Sequence, residues 1–243
     1  MTDEPGDDRL HSGMIEPGTL ILVVDDHPTN RMVMRSQINA LGYASEDVES
    51  GSVAIERWQT GNFSLVLTDL NMPIMSGYDL SRRIREIEAG SSGTRIPIIA
   101  CSANVIPGVV EECVAAGMDD YIAKPISLQV MREKLAKWLP VPVPTADRKE
   151  GISIGQRALA HFREVNDVDV MHLLDAVEHG DMGAVAHMAH RIKGACGFIG
   201  ATGLASVCGM IEQAGREERS VALAGLIDAL RIEQEQLYAT LDG

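Results

Sequence analysis

Leu20-Ile-Leu-Val-Val-Asp-Asp-His-Pro-Thr-Asn30 is an apolar run that ends in two carboxylates and passes directly into a helical pattern. Five successive aliphatic residues suit a strand covered on both faces, as strands of a parallel sheet are. Helical periodicity then holds over residues 28–41 and stops at Gly42. The same unit recurs downstream. A weaker strand at 43–48 precedes a short helix at 52–58. A second strong strand at 63–68 ends in Asp69 and is followed by a helix at 77–88. Strand 96–101, helix 107–116, strand 121–123 and helix 128–139 complete the series. Five strands alternating with five helices predict an α/β domain built on a parallel sheet.

The pattern breaks at Pro140-Val-Pro-Val-Pro144. Alternating prolines fit neither a helix nor a central strand and favour extended polyproline II, so residues 140–150 read as a semi-rigid linker. Beyond it the strand runs vanish. Four helical segments at 162–178, 182–199, 204–214 and 221–241, punctuated by Gly180, Gly200 and Gly215, predict a small antiparallel bundle. The expected division is an acidic tail at 1–18, an α/β domain at 19–139, the linker, and an all-α domain at 151–243.

Composition narrows the function classes. Of 243 residues, 35 are Asp or Glu against 21 Lys or Arg, a formal charge of −14, which disfavours a nucleic-acid surface. A DNA-binding output half is not expected. No apolar run approaches the length of a membrane span, and the N-terminal stretch lacks the basic-then-apolar order of a signal peptide. The four cysteines are too dispersed for a metal site or a disulfide framework, which suggests reduced thiols in the cytoplasm.

Polar residues stand where the strong strands end: Asp25 and Asp26, Asp69, Ser102 and Lys124. Ligands of open α/β sheets bind outside the carboxyl ends of the strands, so neighbouring first and third strands would bring three carboxylates together. Their mutual repulsion is relieved by a divalent cation, and an all-oxygen set without His or Cys points to Mg2+. Lys124 and the Ser102 hydroxyl then suit a phosphoryl group.

Val23-Val-Asp-Asp-His-Pro-Thr-Asn30, Thr68-Asp-Leu-Asn-Met-Pro-Ile-Met-Ser-Gly77, Ala100-Cys-Ser-Ala-Asn104 and Asp120-Tyr-Ile-Ala-Lys-Pro125 together resemble the receiver domain of two-component signalling. The resemblance implies a flavodoxin-like, doubly wound five-stranded fold with Asp69 as phosphoacceptor. It makes Asp26 and Asp69 direct Mg2+ ligands, with the main-chain carbonyl of Asn71 as a third and Asp25 acting through water. Ser102 and Lys124 would bind phosphoryl oxygens, and Tyr121 would be the switch aromatic. Met72-Pro73 and Gly77 would shape the turn beside the acceptor. Cys101 replaces the family's usual apolar residue.

In the second half, a helical wheel places Val185, Met188, Ile192, Ala195, Cys196 and Ile199 on one face. His190 points the other way, flanked by His187, Lys193, Gly194 and Gly197. Glycines inside a helix cost about 1 kcal/mol each against alanine, and these two clear space around the imidazole for an approaching protein. Ala189-His-Arg-Ile-Lys-Gly-Ala-Cys-Gly-Phe-Ile-Gly-Ala201 resembles the signature of histidine phosphotransfer domains. That resemblance implies His190 as phosphoacceptor, Lys193 steadying the phosphoryl charge and Gly194 admitting the partner; His187 is a weaker candidate acceptor. Relatives often carry a further helix ahead of residue 162, so a smaller docking surface is expected.

The combination resembles the C-terminal end of hybrid sensor kinases and implies a phosphorelay. A histidine kinase would supply Asp69, which would pass the phosphoryl group to or from His190, and the receiver of a downstream response regulator would be served from His190; the sequence leaves the direction between the two open. No ATP-binding segment is apparent; Met1 and the acidic tail suit a freestanding relay, and part of a longer kinase is the other option. Two rival readings are a regulatory module in which His190 is a sink not fed by Asp69, and a Mg2+-dependent phosphatase with an Asp nucleophile. The second is disfavoured because Asn71 stands where such enzymes place a second carboxylate.

Overall fold

The computed structural model describes residues 19–90, 95–102, 107–142 and 154–241. The acidic tail, most of the linker and the Ala103-Asn104 end of the fourth strand motif lie outside these residues. The first half alternates β1 (Leu20–Val24), α1 (Pro28–Ala40), β2 (Ala44–Val48), α2 (Gly51–Thr60), β3 (Leu65–Asp69) and α3 (Gly77–Ala89). It continues with β4 (Ile98–Ser102), α4 (Pro107–Ala115), β5 (Asp120–Ala123) and α5 (Leu128–Trp138). All five strands run parallel in the order β2-β1-β3-β4-β5. This is the expected doubly wound sheet.

Alternation along β1 shows why the fold closes. Ile21 and Val23 face α1 and α5, where they meet Met34, Ile38, Met131 and Leu135. Leu22 and Val24 face the opposite layer and pack with Ala54, Leu80, Ile84 and Cys113. Strands β1, β3 and β4 therefore bury both faces, which explains their lack of polar alternation. The strand order switches direction between β1 and β3, and their carboxyl ends open onto the same side as those of β4 and β5. The third and fourth strands begin two residues later than their apolar runs suggest. Phe63 is buried before β3 starts, and the Pro97 carbonyl still accepts from Val66 N at 3.0 Å ahead of β4.

The second half is the expected bundle: α6 (Ile154–His179), α7 (Met182–Ile199), α8 (Thr202–Arg216), a 3-10 turn at Ser220–Ala222, and α9 (Leu223–Leu241). Asp181 Oδ1 caps α7 by accepting from Ala184 N at 2.9 Å, and Gly200 ends it in the left-handed region at φ 76°. The core gathers Phe162, Leu173, Val185, Ile192, Cys196, Leu204, Ile211 and Leu230. Helix α6 begins at Ile154, eight residues ahead of the sequence reading, and is 26 residues long. Among the described residues the added length ahead of Phe162 belongs to this one helix.

The bundle lies against the α/β domain. Helices α6 and α7 pack on α1, and Phe198 of α7 joins the cluster that contains Ile122, Ile126 and Met131. Among the described residues no helix is long and apolar enough to cross a membrane.

Candidate phosphotransfer site

The parallel register sets the site. Val24 pairs with Thr68, Asp69 with Cys101, and Ser102 with Ala123, so the residues at and just beyond these strand ends converge. Asp25, Asp69 and Ser102 are all nearly fully buried. Lys124 Nζ joins the two aspartates, 2.8 Å from Asp25 Oδ2 and 2.5 Å from Asp69 Oδ1. Asp25 also accepts from His27 N at 2.9 Å and Asn30 Nδ2 at 3.0 Å, while Asp69 Oδ2 accepts from Asn71 N at 3.0 Å. Both carboxylates have fixed orientations.

The electrostatics of the pair differ. Burial pushes both carboxyls up, and Lys124 pulls both down. For Asp25 the lysine and the His27 backbone donor prevail, and its pKa lies below the ordinary value. For Asp69 burial, reinforced by the neighbouring Asp25 charge, prevails over Lys124, and its pKa lies above. Burial alone would lower Lys124, but the two aspartates hold its ammonium well above the ordinary range. The excess negative charge gathers around Asp69.

Of the three carboxylates expected to gather, the structure brings two together. Asp26 turns instead to the bundle: Arg191 Nη1 donates to its carbonyl at 2.8 Å and to Oδ2 at 2.9 Å, and His187 Nε2 lies 3.8 Å from Oδ2. Among the described residues no three His, Cys, Asp or Glu side chains form a group arranged for a metal ion. The donor chemistry at the strand ends nonetheless fits a hard divalent cation, because every available side-chain ligand is a carboxylate and Asp69 sits in a surplus of negative charge. In this arrangement two cationic side chains, Lys124 and Arg191, provide the neutralisation.

Helix α3 is held close to the acceptor. A Cβ at Gly77 would stand 2.2 Å from the Asp69 carbonyl oxygen, a backbone atom that cannot step aside. Gly77→Ala is therefore expected to cost about 1–3 kcal/mol through overpacking, read as a lower urea midpoint with unchanged slope. Tyr121 sits outward on β5 at 37% exposure, with Lys134 Nζ 5.1 Å from its ring centroid.

His190 is not the open histidine that the wheel suggests. It retains 8% exposure because the α/β domain covers it. Nδ1 lies 2.9 Å from Glu212 Oε1, and Nε2 lies 3.2 Å from Asn71 Nδ2. A carboxylate can only accept and an amide nitrogen can only donate, so both neighbours select one tautomer: hydrogen on Nδ1 and a lone pair on Nε2. The same Asn71 thus donates to Asp69 through its main chain and to His190 through its side chain. Gly194 and Gly197 face the α/β domain, where a Cβ would make ordinary contact with Asn30 Nδ2 at 3.6 Å and Pro125 at 3.9 Å. Lys193 Nζ reaches Glu212 Oε2 at 3.3 Å. Phe198 lies with its ring centroid 5.9 Å from Lys124 Nζ.

Glu212, on α8, escaped the sequence reading. Burial would raise its carboxyl, yet the hydrogen bond from His190 and the charges of Lys193 and Arg216 hold it at about 2. Its folded-state value is depressed below the ordinary 4.5, so its stabilising share is present above that value and disappears as pH falls toward 2. Glu212→Gln should accordingly lower Tm near neutrality, with the gap to wild type narrowing as pH drops below about 4.5.

Residues 21–136 match the response regulator receiver domain, and residues 157–240 match the Hpt domain. The chain belongs to the two-component phosphorelay proteins, as a receiver domain followed by an Hpt domain. It is 32% identical over 251 residues to the virulence sensor protein BvgS of Bordetella pertussis, covering 91% of this chain and 20% of that protein. It is 28% identical over 204 residues to the sensor protein EvgS of Escherichia coli, covering 79% of this chain and 17% of that one. The chain thus spans about a fifth of the length of these relatives. Among solved structures, the receiver domain of the sensor histidine kinase PA1611 from Pseudomonas aeruginosa is 36% identical. It covers 50% of this chain and 97% of that one, at a TM-score of 0.45.

Proposed function

We propose that this chain is a relay in which Asp69 takes a phosphoryl group from a histidine kinase and passes it to His190 of the same chain. His190 then serves the receiver of a downstream response regulator. The observation that supports the route is Asn71, whose N–H bonds Asp69 Oδ2 and whose amide bonds His190 Nε2. Donor and acceptor atoms of the transfer lie around one residue.

The chemistry follows from the tautomer. In the first step the Asp69 carboxylate attacks the incoming phosphorus, and the donor imidazole leaves with its electron pair. In the second, the His190 Nε2 lone pair attacks the phosphorus on Asp69. The P–N bond forms as the acyl P–O bond breaks, and the carboxylate regained at Asp69 is received by Lys124. The hydrogen on Nδ1 stays in place, so the phosphorylated ring carries positive charge, which the Glu212 carboxylate balances. Ser102 and Lys124 hold phosphoryl oxygens in the first step, and Lys193 steadies them on His190. Asp25, Asp69 and the main-chain carbonyl of Asn71 would hold Mg2+, Asp26 being engaged by Arg191. When bound, that ion supplies neutralisation of the phosphoryl charge.

The surface through which the receiver covers His190 is the surface a downstream receiver needs, so His190 serves one receiver at a time. Four buried free thiols suit a cytoplasmic setting. The test is labelling with acetyl phosphate and Mg2+, followed by acid and base treatment. Wild type should carry an acid-resistant acyl phosphate and a base-resistant phosphohistidine. His190→Gln should carry only the first; persistent base-resistant label in that variant would move the acceptor elsewhere, His187 being the nearest alternative.

A further inference from the structure

The contact between the halves contains a closed ionic circuit that the transfer chemistry does not use. Asp169, buried on α6, receives Arg191 Nε at 3.0 Å on each of its oxygens, and its Oδ2 lies 3.1 Å from His27 Nε2. Arg191 extends onward to the carbonyl and carboxylate of Asp26. Because Asp26 and His27 are chain neighbours, two residues of the bundle grip two consecutive residues of the receiver. His27 is also the N-cap of α1: its Nδ1 accepts from Thr29 N at 3.2 Å. That bond consumes the Nδ1 lone pair, so the ring hydrogen sits on Nε2, the atom 3.1 Å from Asp169 Oδ2.

We propose that Asp169 and Arg191 are the residues by which the Hpt domain recognises its own receiver, with His27 and Asp26 as the complementary pair. The consequence for transfer rests on the relay function above. Docking is selective because Asp169 is buried beside α1. A receiver with a shorter or apolar side chain in place of His27 loses that 3.1 Å contact and leaves Asp169 Oδ2 to Arg191 alone in the interface. Arg191 needs only the carboxylate and carbonyl of the Asp26 position. Asp169 with His27 therefore sets which receiver fits, and Arg191 sets the register in which it sits.

The experiment is a double-substitution cycle in the full chain with Asp169→Asn and His27→Asn. Asparagine retains the α1 cap, so His27→Asn folds. Two readouts are taken: the rate at which label moves from Asp69 to His190, and amide-exchange protection of residues 29–33 on α1. Each single change is expected to slow transfer about tenfold and to lower that protection, with acetyl-phosphate labelling of Asp69 unchanged. The double variant is expected to be no slower than the worse single, because both changes break the same contact. Wild-type transfer in either single variant, or penalties that multiply in the double, overturns the proposal. If wild type never labels His190, the relay reading fails instead, and the exchange data decide alone: protection lost in Asp169→Asn upholds the recognition pair, and protection retained overturns it.

Discussion

Asp69→Asn should remove the acyl phosphate and, with it, every trace of phosphohistidine obtained from a small phosphodonor. The expected loss of labelling is roughly a thousandfold or more, the scale seen when a nucleophile is removed outright. An amide of the same shape keeps the acceptor oxygen for Asn71 N and costs little in packing, so the folded receiver persists. What disappears is the carboxylate that attacks phosphorus. The effect on His190 is the more informative half, since that side chain is chemically untouched in the variant. Loss of both labels makes Asp69 the sole entrance. Phosphate-affinity gels of wild type, Asp69→Asn and His190→Gln side by side separate the two losses.

Lys124→Met should give the largest loss of stability. The ammonium bridges Asp25 and Asp69 at 2.8 and 2.5 Å, and all three groups are almost completely buried. Removing the cation leaves two carboxylates facing each other away from water, a change that costs about 3–5 kcal/mol. The pH dependence has a definite sign. Asp69 already lies above its ordinary 3.8 with Lys124 in place, and without it the folded state holds a proton there more tightly still. A carboxyl with a raised folded-state pKa stabilises when protonated, so the deficit of Lys124→Met should be largest near neutrality and shrink as pH falls through the Asp69 titration. Mg2+ should restore part of the lost Tm in the variant, since a ligand bound only by the folded state stabilises in proportion to the logarithm of its concentration. Thermal melts between mildly acidic and neutral pH, with and without the ion, check each element.

The receiver half was legible because its chemistry sits at strand ends. Asp25, Asp69, Ser102 and Lys124 each follow an apolar run, and a parallel sheet can only bring such positions to one edge. The residues that sequence reasoning missed are those whose roles need two elements in register. Glu212 is the clearest case. It follows Leu204, Cys208 and Ile211 on the core stripe of α8, and an acid at such a position is itself a signal, because a buried carboxylate needs a partner. Which partner it finds depends on how α7 and α8 pair. The wheel puts His190 on the outward face of α7, whereas the structure holds its ring between Glu212 of α8 and Asn71 of the receiver. Asn71 was noted for its main chain; its side-chain contact with His190 arises between domains and leaves no local trace. The same holds for Asp26, whose carboxylate was assigned to the acidic cluster and is engaged by Arg191. Periodicity also could not find the start of α6, where helix precedes the first core anchor, Phe162.

The most direct test of the account is whether the label moves from Asp69 to His190 within one chain. Wild type is charged briefly with acetyl phosphate, freed of donor, diluted over roughly a hundredfold range, and the appearance of base-resistant label is timed. A parallel mixture of Asp69→Asn chains with pre-charged His190→Gln chains measures transfer between molecules. The account predicts a first-order rate unchanged by dilution in wild type, because the linker and docking surface keep the effective concentration of the partner fixed. It also predicts slower, concentration-dependent transfer in the mixture. A wild-type rate that falls in proportion to dilution, matching the mixture, would contradict it.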